Sequence, residues 1–275
     1  MDFLQLGGKQ FLVAGLGNRR SVAWLIGRVL EDAGAKVIYT VRNAERAREL
    51  EKLLTGRPFL LCDVENEADV RTLGDRFRAA HSGLLDGFVH SIAYGQFRPE
   101  APLFHQTRRE DFLQATQISA FSLVEMANSL KPMLHQAASV VTIGISSYVT
   151  AANYGYLSPI KGALEGCVRF LAKSFSLDSE IRFNSVNAGP LRTKSSAGIP
   201  GYLDNYLYAE KLTYRKRAVT TQEVADTAAF LLSSRSSGIN AQGIVVNAGM
   251  DWNYFDETAV QAVSEADRRS RTSEQ

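Results

Sequence analysis

Short β-branched apolar runs alternate with longer stretches of helical period along the chain. The runs "QFLVAGL", "AKVIYTV", "PFLLCDV", "LDGFVHSIA", "ASVVTIGI", "IRFNSVNAG" and "AQGIVVNAG" read as strands. Between them, "SVAWLIGRVLEDAG" reads as a helix closed by Gly34, and "AERARELEKLL" and "EADVRTLGDRFRAAH" as two more. A long helix is expected around residues 110 to 130 and another from about 159 to 177. "TQEVADTAAFLLSS" adds one capped by Thr220 or Thr221. Near-continuous apolar strands separated by helices imply a parallel sheet covered on both faces, so the predicted fold is a doubly wound, Rossmann-type α/β domain with seven strands.

Residues 194 to 217, "KSSAGIPGYLDNYLYAEKLTYRKR", break the alternation. This polar, tyrosine-rich stretch is expected to be an irregular segment covering a site. No linker divides the chain, so residues 1–255 are expected to form one domain. The charged segment 256–275 is expected to be a peripheral helix with a disordered end.

Composition narrows the function classes. A formal charge of +2 over 275 residues leaves no global footprint for nucleic acid. The start lacks a basic region before its apolar run, and no stretch approaches the apolar length of a membrane span, so the expectation is a soluble cytoplasmic protein. Cys62 and Cys167 sit in apolar patterns and read as buried small residues. The histidines at 81, 90, 105 and 135 lack metal-ligand spacing, so no metal site is expected.

Candidate chemistry lies at the strand ends. After the first strand comes "GLGNRRSVAWLIG", where Gly15 and Gly17 allow a tight turn and Ser21 opens a helix whose N-terminal amides favour an anion. The second strand ends near Arg42 and Arg46, where a fold that prefers NAD often carries an acid for the ribose 2′-hydroxyl. Arginine favours a 2′-phosphate, hence NADPH, with NADH possible. Asp63 and Ser91 end two further strands that face the same crevice.

In "SSYVTAANYGYLSPIK", three tyrosines precede Lys161. A nearby ammonium stabilises a phenolate, so a phenol held beside Lys161 is expected to be a proton donor of lowered pKa. On a helix at about 100° per residue, Tyr154 and Lys161 come within roughly 20° of one face, whereas Tyr156 and Lys161 differ by about 140°. Pro159 suits a first helical turn with Ser158 as its cap, which places Tyr154 just before the helix. Tyr156 is expected to pack only.

"NYGYLSPIK" resembles the enoyl-[acyl-carrier-protein] reductase branch of the short-chain dehydrogenase/reductase superfamily, whose ordinary members place three residues between tyrosine and lysine. "GLGNRRSVAWLIG", "LDGFVHSIAY", "ISAFSLVEMA" and "RFNSVNAGPLRTKSSAGI" resemble the same branch, in the same order, and the likeness covers about residues 7 to 250. The resemblance implies an NAD(P)H-dependent reductase of trans-2-enoyl thioesters on an acidic acyl-carrier protein, working as a homotetramer in fatty-acid synthesis. It implies that Gly15, Ser21 and Val22 hold the pyrophosphate, Arg42 the adenosine ribose, Asp63 and Val64 the adenine, and Ser91 and Ile92 the adjoining ribose region. Lys161 then binds the nicotinamide ribose, Leu191 and Thr193 position the carboxamide and phosphate, and Ala93, Tyr148 and Tyr154 meet the substrate. Lys211, Arg215, Lys216 and Arg217 could face the carrier.

Two positions depart from the family. A substrate-contacting tyrosine usually stands ten positions before the reactive one, where this chain has Gly144 in a loop one residue shorter. Tyr148 is the nearest replacement and a rival to Tyr154 for the reacting oxygen. Asn247 stands where an aspartate is general. Two other functions fit the residues: a carbonyl or alcohol reductase using Tyr154 with Ser146 or Ser147, and a nucleotide-binding protein without catalysis.

Overall fold

The computed structural model describes residues 2–98, 103–146, 149, 151, 154–193 and 196–273. Seven strands form one parallel sheet: β1 (Gln10–Ala14), β2 (Lys36–Val41), β3 (Phe59–Leu61), β4 (Leu85–His90), β5 (Leu134–Ile145), β6 (Arg182–Ala188) and β7 (Gly243–Val246). Their order is β3-β2-β1-β4-β5-β6-β7, every pairing parallel. The order reverses between β1 and β4, which opens a crevice beyond the carboxyl ends of those strands.

The helices are α1 (Val22–Asp32), α2 (Ala44–Glu49), α3 (Glu51–Leu54), α4 (Glu67–Arg71), α5 (Leu73–Ala80), α6 (Arg109–Thr116), α7 (Ser122–Leu130), α8 (Leu157–Phe175), α9 (Tyr202–Leu212), α10 (Thr221–Leu232) and α11 (Glu257–Ser273). Strand residues alternate between two cores. Phe11 and Val13 pack with α1 and α10 on one face, and Leu12 and Ala14 join α5, α7 and α8 on the other. No helix among the described residues is long and apolar enough to cross a membrane.

The seven strands lie where the apolar runs are, and local detail differs from expectation in several places. The second predicted helix divides at Leu50. The long helix around residues 110 to 130 contains a π-turn over Gln117–Phe121. The helix after Tyr154 starts at Leu157, with no side-chain cap from Ser158. Residues 202–212 form a helix rather than an irregular segment. Thr220 caps α10 reciprocally with Glu223. The predicted peripheral helix runs to Ser273, and the expected disordered end at residues 274 and 275 lies outside the described residues.

A polar string crosses one core. The fully buried His90 ring meets Thr142 Oγ1 at 3.0 Å on β5 and Ser122 Oγ at 2.8 Å on α7. Burial, reinforced by the Lys161 charge, pushes the imidazole down to about 3 and keeps it neutral.

Candidate active site

The carboxyl ends of the central strands open into a cavity of about 590 Å³. Every predicted site residue among the described residues lines it: Gly15, Ser21, Val22, Arg42, Asp63, Val64, Ser91, Ile92, Ala93, Tyr154, Lys161, Leu191 and Thr193. Tyr148 and Ser147 lie outside the described residues.

Gly15 has φ +100, and an added Cβ would overlap the Ser91 carbonyl at the end of β4. Only glycine brings the first turn this close to β4. The Ser21 hydroxyl caps α1 by accepting from Trp24 N at 3.3 Å and donates to the Asn18 carbonyl at 2.8 Å. A tight glycine turn leading into a capped helix N-terminus presents backbone N–H groups suited to a pyrophosphate. These residues therefore fit a dinucleotide.

Arg42 lines the cavity, and its guanidinium bonds Asp63 at 2.9 Å and reaches Glu65 at 3.7 Å. Arg46 bonds the Gly17 carbonyl and Glu49, which ties the second strand's end to the glycine turn. A 2′-phosphate would meet one arginine that already has carboxylate partners, a feature the sequence did not reveal.

Lys161 is 4% exposed on α8 and donates to the carbonyls of Ile92 at 3.2 Å and Ile143 at 2.8 Å. With no carboxylate in those bonds, burial pushes its amine down to about 8. Burial, with Tyr202 beside it, pushes the Tyr154 phenol up to about 12. The expectation of a phenol acidified by lysine is therefore corrected: desolvation wins, and Tyr154 keeps its proton across the physiological range. Tyr156 turns away, with its hydroxyl on the Gln96 backbone at 2.6 and 2.8 Å and its ring stacked on Phe97.

The space at Gly144 is not vacant. An added Cβ there would overlap Asn187 Oδ1 from the neighbouring strand, and Asn187 Nδ2 reaches the buried Glu165 carboxylate at 3.3 Å. A side chain at 144 would have to displace Asn187, whereas the rival phenol named from the sequence, Tyr148, lies outside the described residues.

Tyr202 is a cavity residue that motif reading missed, although its stretch stood out as tyrosine-rich. Its hydroxyl accepts from Leu191 N at 2.9 Å and donates to Leu191 O at 2.8 Å.

Residues 15–251 match the family model for enoyl-(acyl carrier protein) reductase. The chain belongs to that family. An NADH-dependent enoyl-[acyl-carrier-protein] reductase of a Nostoc species is 36% identical over 255 residues, covering 90% of this chain and 98% of its own. An NADPH-dependent member of the same family from Staphylococcus aureus is 34% identical with the same coverage. The crystal structure of the Bacillus cereus reductase with NADP+ and an indole naphthyridinone superposes with a TM-score of 0.83 at 31% identity, covering 90% of this chain and 97% of that one. Members of the enoyl-(acyl carrier protein) reductase family thus carry either nicotinamide cofactor in their names.

Proposed function

We infer that the protein reduces trans-2-enoyl thioesters with a nicotinamide cofactor, the enoyl step of fatty-acid synthesis. The observation that carries this reading is one cavity holding a glycine cradle, Lys161 and a protonated Tyr154 in a chain of the reductase family. When bound, the reduced nicotinamide supplies a hydride to C3 of the enoyl group. The double-bond electrons move onto the thioester oxygen as an enolate, and protonation at C2 gives the saturated thioester.

The chain's own residues act on that charge. Tyr154, undissociated because it is desolvated, donates a hydrogen bond to the developing oxyanion. Such a bond strengthens as charge develops, so it lowers the barrier more than it tightens binding. Lys161, aimed by its two carbonyl anchors, holds the nicotinamide ribose. The first turn takes the pyrophosphate, Asp63 and Val64 border the adenine, Ser91 and Ile92 the next ribose, and Leu191 and Thr193 the nicotinamide end. Ala93 borders the enoyl group.

Arg42 on the cavity wall supports a preference for NADPH. We also propose a homotetramer that takes its substrate from an acidic carrier protein. Apolar side chains left outside on the helices, Phe170 at 81% exposure above all, support the assembly.

Loss of NADPH absorbance on addition of crotonyl and longer enoyl thioesters, with ketoacyl thioesters as competitors, tests the reading. Turnover confined to ketoacyl thioesters would overturn it in favour of a carbonyl reductase using Ser146, a buried cavity residue.

A further inference from the structure

The family match stops at residue 251, and the relatives, matched over 98% of their own length, cover 90% of this chain. Helix α11 lies beyond the match, and it is joined to the last turn of α9, the helix whose first residue, Tyr202, lines the cavity. The joint is Asp256, 5% exposed, whose carboxylate caps α11 by accepting from Ala259 N at 3.0 Å. The same carboxylate accepts from Lys216 Nζ and from Asn253 Nδ2 at 3.0 Å. Each donor also bonds a carbonyl in the last turn of α9: Lys216 Nζ takes Lys211 O at 2.9 Å, and Asn253 Nδ2 takes Leu212 O at 2.8 Å. Those carbonyls lack partners inside the helix, and cations near a helix C-terminus also complement its dipole.

Lys216 has φ +53, a conformation an L-residue rarely adopts and one that the surrounding bonds must hold. At the other end of α9, Tyr202 lines the cavity, bonds Leu191 and lies close enough to Tyr154 to raise its pKa. Helix α9 is therefore fixed at both ends, at Leu191 and at Asp256.

We propose that Asp256 is a positioning residue that holds α9 as the outer wall of the acyl-binding space, through Lys216 and Asn253. The proposal rests on the reading of the cavity as an enoyl-thioester site. It places the effect on the acyl substrate, because the glycine turn and Lys161 stand on other elements and Leu191 is bonded at the first residue of α9, the end opposite the Asp256 joint.

The test is Asp256→Asn in the full chain, which keeps the side chain's shape and removes its charge. With NADPH saturating, KM for an enoyl thioester should rise roughly fivefold, the range of a partly exposed charge-assisted contact, with kcat and the NADPH Kd unchanged. Lys216→Met should do the same, and the double variant should be no worse than either single. Hydrogen exchange of the α9 amides, which needs no substrate, should be faster in both variants. If the wild type reduces no enoyl thioester, the functional reading fails and the exchange data alone judge the positioning. Unchanged exchange overturns the proposal, as does a loss confined to kcat or cofactor binding.

Discussion

Lys161→Met should make the cofactor-free protein more stable at neutral pH while abolishing cofactor-dependent turnover. Burial lowers the amine from 10.5 to about 8, so the ammonium is disfavoured in the folded state. At 1.36 kcal/mol per tenfold, that fall corresponds to roughly 3 kcal/mol of strain at about pH 7. Methionine keeps the length of the stem and removes the charge. It forfeits two hydrogen bonds to carbonyls, worth about 1 kcal/mol each, leaving a net gain on the order of 1 kcal/mol. For a chain of this size the melting temperature should rise by about 2–4 °C. The sign depends on pH. With a depressed lysine pKa the unfolded chain binds more protons between about pH 8 and 10.5, so wild-type stability from this group rises with pH there. The variant's advantage is therefore full below about pH 8, gone by about pH 9 and reversed above it, where the neutral lysine still keeps its two bonds. Thermal melts of both proteins across that range, without cofactor, measure it. A variant less stable than wild type at about pH 7, or a pH-independent difference, would refute the argument that an uncompensated charge sits at position 161.

Tyr154→Phe should lower kcat by roughly 3–4 kcal/mol of transition-state stabilisation with the NADPH Kd nearly unchanged, read by steady-state kinetics beside cofactor titration. Equal catalytic efficiency with NADPH and NADH, or an unchanged ratio in Arg42→Ala, would contradict the proposed preference; the expected ratio favours NADPH about tenfold and falls in the variant. Gly144→Ala should destabilise the fold by about 1–3 kcal/mol because the new methyl meets Asn187, and Asn187→Ala should restore part of the loss in the double variant, as denaturant titration would show.

The parallel sheet was legible because buried strands flanked by helices leave near-continuous β-branched runs, and all seven runs contain strands. The cavity's lining was legible because motifs at strand ends converge wherever strands are parallel. The electrostatics were not, because they depend on contacts distant in sequence. Lys161 looked like a partner that would acidify Tyr154, yet its bonds go to carbonyls on β5 and beyond β4, and burial decides both pKa values. Gly144 looked like a missing tyrosine, and only the pairing of β5 with β6 shows Asn187 opposite it. Arg42 announced a phosphate site without disclosing that Asp63, 21 positions on, binds it. Asp256 belonged to a tail that carried no motif, since its partners come from a different part of the chain.

The buried string through His90 has a consequence for shape. Apolar packing has no preferred direction, so a helix on an oily sheet can roll about its axis at little cost. A ring bonded at one nitrogen to β5 and at the other to α7 supplies the missing angle, and it does so at every physiological pH because the ring is neutral. Phe121, one residue before α7, thereby acquires a fixed heading on the outside of the molecule. His90→Leu would leave the core filled and the cavity lining in place while letting that heading drift, so its signature would be faster hydrogen exchange of the α7 amides with normal cofactor affinity.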